Sequence, residues 1–193
     1  MMKFNYPPGS TPLEPGELAG LIPKHITTQE ELNAWEEKNI IEAEPWAFKQ
    51  KDILSLTFIK KLHKRMFNKT WEWAGEFRTS GKNIGVYWAQ IPMKLHELCD
   101  DISYQLDHNA YSKDEIAIRF HHRLVFIHAF ANGNGRHARL MADIFIVKQG
   151  GSRFTWGMHQ DLTKATPIRK QYIEALQLAD RGDYSKLLTF ARS

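Results

Sequence analysis

A chain of 193 residues with net charge +4, 42% hydrophobic and 25% charged side chains can bury the core of one domain and has an ordinary globular composition. Its charge is too small for the dense basic patch of a nucleic-acid binder and reads as a mild bias toward anionic ligands. No apolar run approaches a membrane span, no leader pattern opens the chain, and the single cysteine, Cys99, excludes an internal disulfide framework and fits a reducing cytoplasm.

Residues 1–27 hold Pro7-Pro8-Gly9, Pro12, Pro15-Gly16 and Pro23. They are expected to form an extended arm rather than a helix, followed by a single domain over residues 28–193. Thr28-Gln29-Glu30-Glu31 has the form of a capping box and opens a helix toward Ile41. Leu32, Trp35 and Ile40 are its expected buried stripe. A second helix is predicted over residues 55–67, where Phe58, Ile59, Leu62 and Met66 stand at helical spacing. Its lysines and His63 are assigned to a solvated outer face. Between Trp71 and Pro92 the period changes. Turn residues mix there with β-branched and aromatic ones in Gly81-Lys82-Asn83-Ile84-Gly85-Val86-Tyr87-Trp88, which predicts a short β-hairpin over residues 79–91.

A helix is predicted over residues 92–109, and Cys99 falls on its apolar stretch, where a core role is expected. Ser112-Lys113-Asp114-Glu115 is a second capping box. It opens a helix whose stripe Ile116, Phe120, Leu124 and Ile127 leads up to His128. The next helix runs from Gly135 to about Lys148. Leu140, Met141, Ile144, Phe145 and Val147 make it apolar around most of its circumference, so it should be central. Thr166-Pro167 starts a further helix, ending near Asp180-Arg181-Gly182-Asp183. The fold class is mainly α.

The most informative run is His128-Ala129-Phe130-Ala131-Asn132-Gly133-Asn134-Gly135-Arg136-His137-Ala138-Arg139. It places a histidine at a helix end, then a glycine-rich turn, then two arginines three residues apart on one face of the next helix. A helix start and its turn attract anions through backbone N–H groups and the dipole. Arg136 and Arg139 can grip phosphate oxygens with planar forks. His128 can take a proton near neutral pH.

This run resembles the signature of the Fic (filamentation induced by cyclic AMP) family, which reads His-Pro-Phe-x-acid-Gly-Asn-Gly-Arg-x-x-Arg. His128, Phe130, Gly133, Asn134, Gly135, Arg136 and Arg139 match it; Ala129 replaces the proline and Asn132 the acid. Trp73-Ala74-Gly75-Glu76-Phe77-Arg78 looks like the family's lead-in to a β-hairpin flap. Residues 120–127 look like the helix entering the motif, and Tyr172-Ile173-Glu174-Ala175-Leu176 like the late helix. Within the family, the chain looks close to a bacterial subgroup called mobile mystery protein B.

The resemblance implies a Fic-type helical bundle with a β-hairpin flap, and transfer of AMP from ATP to a Ser, Thr or Tyr hydroxyl of a target protein. His128 would be the general base. Gly133, Asn134, Gly135, Arg136 and Arg139 would hold the phosphates. Asn132 would face Mg2+ with a neutral oxygen in place of a carboxylate. Lys82, Asn83, Ile84 and Gly85 would form the flap turn that docks a target segment by strand addition. Many Fic proteins are restrained by a Ser/Thr-x-x-x-Glu-Gly/Asn string. The nearest strings, residues 10–15 and 27–32, end in neither Gly nor Asn. A separate small antitoxin chain stays open.

Other readings of the same residues meet weaker support. His121, His122, His128, His137 and His159 do not make a His-x-x-x-His pair with a nearby acid, so structural or surface roles are expected. Gly133-x-Gly135 lacks the preceding strand of a dinucleotide turn. An apolar helix after the turn is unlike an exposed DNA-recognition helix. A different phosphate-linked transfer, removal of AMP, and a non-catalytic nucleotide-binding module remain the alternatives.

Overall fold

Four helix starts follow from their capping side chains. The Thr28 hydroxyl accepts the Glu31 N–H, and the Glu31 carboxylate returns to the Thr28 N–H. Ser55, Ser112 and Thr166 each accept an N–H three residues ahead. Each cap satisfies one orphan donor and is worth about 1 kcal/mol. The computed structural model describes residues 11–157, 162, 164 and 166–193. Among them the elements in chain order are α1 (Pro15–Ala19), α2 (Gln29–Ala47), α3 (Leu56–Phe67), α4 (Ile91–Asp107), α5 (Lys113–Ile127), α6 (Asn134–Lys148), α7 (Pro167–Ala179) and α8 (Ser185–Arg192).

The antiparallel pair α5 and α6 is the centre, with the most extensive packing in the molecule. Phe120 on α5 and Phe145 on α6 are both fully buried, their rings 5.8 Å apart. Helix α4 covers one side of α5, and α7 with α8 close the far end. Helices α2 and α3 pack on each other, and α3 reaches the start of α6 through Phe67. Cys99 is buried on α4, where desolvation raises its thiol to about 11. No helix among the described residues is long and apolar enough to cross a membrane.

Four expectations need correction. The arm over residues 1–27 was expected to be wholly extended, yet it contains α1. Pro15 sits in the first turn, and Glu14 and Glu17 close a reciprocal cap; a proline read as a breaker is instead a helix starter. Residues 1–10 of that arm lie outside the described residues. Helix α2 does not stop at Ile41 but runs through Pro45 to Ala47. Losing that N–H costs roughly 3 kcal/mol, offset by burial of Ala43 and Ala47 and by Trp46 lying between the Phe58 ring and the Arg65 guanidinium.

His63 is not on the outer face of α3; it is fully buried. Finally, the hairpin over residues 79–91 does not form; no strand ladder occurs among the described residues, only an isolated bridge between Leu21 and Trp71. The Arg78 guanidinium occupies the carbonyls of Ser80 and Val86, at 2.8 and 2.5 Å. The main-chain N–H groups of Arg78 and Val86 turn instead to the oxygens of Ala129 and Ile127. The segment is a loop laid along the end of α5, leading into a single 3-10 turn at Trp88–Gln90.

Candidate active site

Helix α5 ends on His128, which adopts the left-handed conformation at φ 54 and ψ 59. That backbone costs a side-chain-bearing residue about 1–2 kcal/mol. The surroundings enforce it. Arg78 Nε donates to the His128 oxygen at 2.6 Å, and the His128 N–H closes the helix on Leu124. Gly85 presses in from the loop: a Cβ there would fall 2.7 Å from the His128 Cβ, and its φ of +102° is one that side chains rarely adopt.

The tautomer of His128 follows from its partners. Nδ1 lies 3.3 Å from the Val125 oxygen, which can only accept, so Nδ1 carries the hydrogen. Nε2 is left with its lone pair, and the Thr11 hydroxyl donates to it at 3.0 Å. Burial pushes the imidazole down to about 4, and the positive charges of Arg78 and Lys82 add to this while the Val125 bond opposes it. At neutral pH the ring is therefore an unprotonated base.

The turn between α5 and α6 is braced from three sides. Gly133 has φ +78°, and a Cβ on it would meet the Phe67 ring at 2.6 Å, so both conformation and space demand glycine. Asn134 spans the turn, its Oδ1 accepting the Phe130 N–H at 2.9 Å and its Nδ2 donating to the Phe130 oxygen at 2.8 Å. His63 comes from α3. It stacks on Phe130 at 3.7 Å, donates from Nε2 to the Asn132 oxygen at 3.0 Å and accepts the Gly75 N–H on Nδ1. Burial holds its pKa well below the ordinary histidine range. The Asn132 side chain folds back so that Oδ1 accepts the Gly133 N–H at 2.5 Å.

Beyond the turn, α6 presents Arg136 and Arg139 to a cavity of about 560 Å³. Its other walls include Glu37, Ile40 and Glu44 of α2, and Trp156. Arg136 is paired: its Nη1 meets Glu36 Oε2 at 2.7 Å, while Glu36 Oε1 accepts the Trp71 indole N–H at 2.7 Å. The Arg136 guanidinium also lies over the Phe67 ring at 5.0 Å. Arg139 lies over the Tyr172 ring at 5.5 Å. A buried base beside a helix N-terminus with two forward arginines can remove a proton from a hydroxyl while holding a polyanion.

Residues 53–146 match the model of the Fic/DOC family. Over residues 53–146 the chain carries a Fic/DOC family domain. It is 28% identical over 134 residues to a Caenorhabditis briggsae protein named protein adenylyltransferase fic-1, covering 67% of this chain and 25% of that one. A Drosophila mojavensis protein adenylyltransferase Fic is 28% identical over 145 residues, 73% of this chain and 27% of that one. The chain thus spans about a quarter of the length of these relatives. Among solved structures, the Bartonella tribocorum effector BepC, determined with bound AMPPNP, superposes with a TM-score of 0.64 at 18% identity, covering 93% of this chain and 97% of that one. The type IV secretion system effector BepA gives 0.65 at 16% identity, covering 90% and 67%. These structures share the Fic fold.

Of the motif residues, Arg136 and Arg139 line the cavity, while His128 ends α5 on the other side of the turn. Gly133, Asn134, Gly135 and Arg136 stand at the turn and the first turn of α6, and Arg139 follows one turn on. The loop residues expected to form a flap divide: Lys82 bonds the Pro12 oxygen and Glu17, Gly85 abuts His128, and Ile84 is exposed. No group of three or more His, Cys, Asp or Glu able to hold a metal exists among the described residues. Of the histidines read as structural rather than metal-binding, His121 pairs with Tyr172, His122 with Asp180 and His137 with the Ile59 oxygen. His159 lies outside the described residues. Helix α6 is too deeply buried, at Leu140, Met141, Ile144 and Phe145, to enter a DNA groove.

Sequence reasoning missed Glu36, His63, Arg78 and Thr11 around the Fic site. Glu36 was findable. It lies between Leu32 and Asn39 on the 32, 36, 39, 43 face of α2 that packs inward, and a carboxylate on a buried stripe requires a partner. The other three are set by segments remote in the chain, which spacing alone does not register.

Proposed function

We propose that this chain is a protein adenylyltransferase. Support comes above all from one observation: His128 Nε2 holds its lone pair toward a hydroxyl, at the end of the helix whose following turn opens an arginine-bearing helix N-terminus. Relatives named protein adenylyltransferase and a structural neighbour with bound AMPPNP are consistent with ATP as the substrate. In this reading His128 Nε2 takes the proton of a Ser, Thr or Tyr hydroxyl of a target protein. The freed oxygen forms a bond to the α-phosphorus of ATP, and the bond to the β-phosphate oxygen breaks to release pyrophosphate. The backbone around Gly133, Asn134 and Gly135 and the guanidinium groups of Arg136 and Arg139 hold the phosphates in line. Lys82, Asn83, Ile84 and Gly85 border the approach of the acceptor. The test is incubation of the purified chain with labelled ATP and cell lysate, read by intact mass. An added adenylyl mass on acceptor proteins is expected; an added phosphate or phosphocholine mass would replace the assignment.

Arg139→Ala is expected to weaken nucleotide binding about 10- to 100-fold, the loss of one charge-assisted phosphate contact worth roughly 1.5–3 kcal/mol. Titration of the folded variant with ATP reads this directly. Unchanged affinity would remove Arg139 from the phosphate site.

Mg2+ would supply charge neutralisation on the triphosphate when bound. Asn132 is a compatible but weak ligand: one lone pair of Oδ1 is taken by the Gly133 N–H, leaving a second, uncharged one. Asn132→Asp is therefore expected to lower the magnesium concentration giving half-maximal nucleotide binding and half-maximal transfer. Superimposable magnesium curves for the two proteins would place Asn132 away from the cation.

A further inference from the structure

We propose that Arg78 is a positioning residue: its buried guanidinium joins the main chain carrying His128 to the loop that borders the acceptor approach, so that base and loop keep one register. For its rate readout this role rests on the adenylyltransferase reading above; for its spectroscopic readout it rests on geometry alone.

A guanidinium stays charged at any physiological pH, and Arg78 is only 4% exposed. Its side-chain bonds run to carbonyl oxygens: Nε to His128 at 2.6 Å, Nη1 to Ser80 at 2.8 Å and Nη2 to Val86 at 2.5 Å. Glu17 acts on it through its charge but bonds Lys82. Burial therefore lowers the pKa of Arg78. A charge buried among neutral oxygens is an expensive way to staple a loop.

What the planar fork supplies is direction. It fixes the Ser80, Val86 and His128 carbonyls relative to one another. The main-chain N–H of Arg78 also takes the Ala129 oxygen at 3.0 Å, so one residue holds two successive carbonyls of the chain leaving α5. Those peptides keep His128 at φ 54 and ψ 59 and so set the direction of its Cα–Cβ bond. From the loop, the Val86 N–H returns to the Ile127 oxygen at 3.4 Å. A Cβ on Gly85 would lie 2.7 Å from the His128 Cβ and 2.8 Å from Arg78 Nη2. Loop, guanidinium and base are thus in direct contact, and a hydroxyl docked on the loop is registered to Nε2 through Arg78.

The experiment compares Arg78→Ala and Arg78→Lys with the wild type, each checked for folding by circular dichroism. In Arg78→Ala the transfer rate at saturating ATP is expected to fall about 10²-fold, the usual cost of misplacing a reacting group by about 1 Å. ATP affinity should hold, since Arg136 and Arg139 line the cavity beyond the turn. Millimolar guanidinium chloride is expected to restore part of the rate, and urea, the uncharged analogue, is not. Arg78→Lys keeps the charge without the fork and should remain slow. NMR of ring-labelled histidine, without substrate, follows His128 itself. The wild type should show the Nδ1–H tautomer and a titration midpoint of about 4, set by burial together with the facing charges of Arg78 and Lys82. Both variants should show mixed tautomers. In Arg78→Ala the midpoint should rise, because one facing cation is gone, and guanidinium should bring it back down. Wild-type rates, or a wild-type ring spectrum, in the folded variants would overturn the role. Loss of fold in both variants would make Arg78 a structural staple and overturn it as well. A wild type that transfers no adenylyl group would overturn the adenylyltransferase reading and leave the ring spectrum to judge Arg78.

Discussion

His128→Ala is expected to transfer adenylyl groups about 10²–10⁴-fold more slowly than the wild type, the usual loss on removing a general base, while binding ATP with little change. The expectation is sharp because the ring's role is separable from its surroundings. The backbone anchors on residue 128, from Arg78 and to Leu124, are main-chain contacts that alanine keeps. What disappears is Nε2, the one atom there that accepts a hydroxyl proton. Alanine tolerates the left-handed backbone less well than histidine does, so a modest loss of stability accompanies the substitution. His128→Asn is the companion variant, since asparagine accepts that conformation and lacks the base. Wild-type rates in either folded variant would end the assignment of His128.

Acid is expected to destabilise the chain between about pH 6.5 and 4, a loss that begins above the range where its carboxylates titrate. Burial holds His128 and His137 at about 4 in the folded state, whereas in the unfolded chain they titrate near 6.5. Within that window the unfolded state binds more protons, so stability is complete above 6.5 and falls as pH drops toward 4; below 4 these two groups cost nothing further. Each contributes a loss on the order of 3 kcal/mol. His63 and His121 are fully buried and shifted well down in the same direction, and His122 is shifted down despite its Asp180 partner. The losses at His128 and His137 alone come to about 6 kcal/mol, within the whole stability of a typical domain, about 5–15 kcal/mol. Circular dichroism against pH reads the midpoint. A helical signal unchanged at pH 4 would overturn this prediction.

The sequence was most legible where a local rule decides structure. Hydroxyl caps at Thr28, Ser112 and Thr166 located helix starts because the cap bond spans three residues. The 128–139 motif located the site because histidine, turn and arginines are contiguous. Legibility failed where the deciding partner is far along the chain. The 79–91 segment has the composition of a hairpin, but one side chain, Arg78, takes the carbonyls a ladder needs. His63 has the spacing of a surface residue between lysines, but it is the plug beneath the motif turn. The Glu36 and Arg136 pair joins helices whose patterns, taken singly, say nothing of each other.

That remoteness also orders assembly. Helices α5 and α6 are joined by a short turn and can meet at little entropic cost. The contacts that finish the site close much longer loops: His63 to Asn132 spans 69 residues, Glu36 to Arg136 spans 100, and Thr11 to His128 spans 117. During synthesis the segment bearing Thr11 leaves the ribosome long before the histidine it will bind exists. The base is therefore made after the segment that will cover it, which gives the newborn protein little time with its reactive nitrogen open to the surrounding proteins.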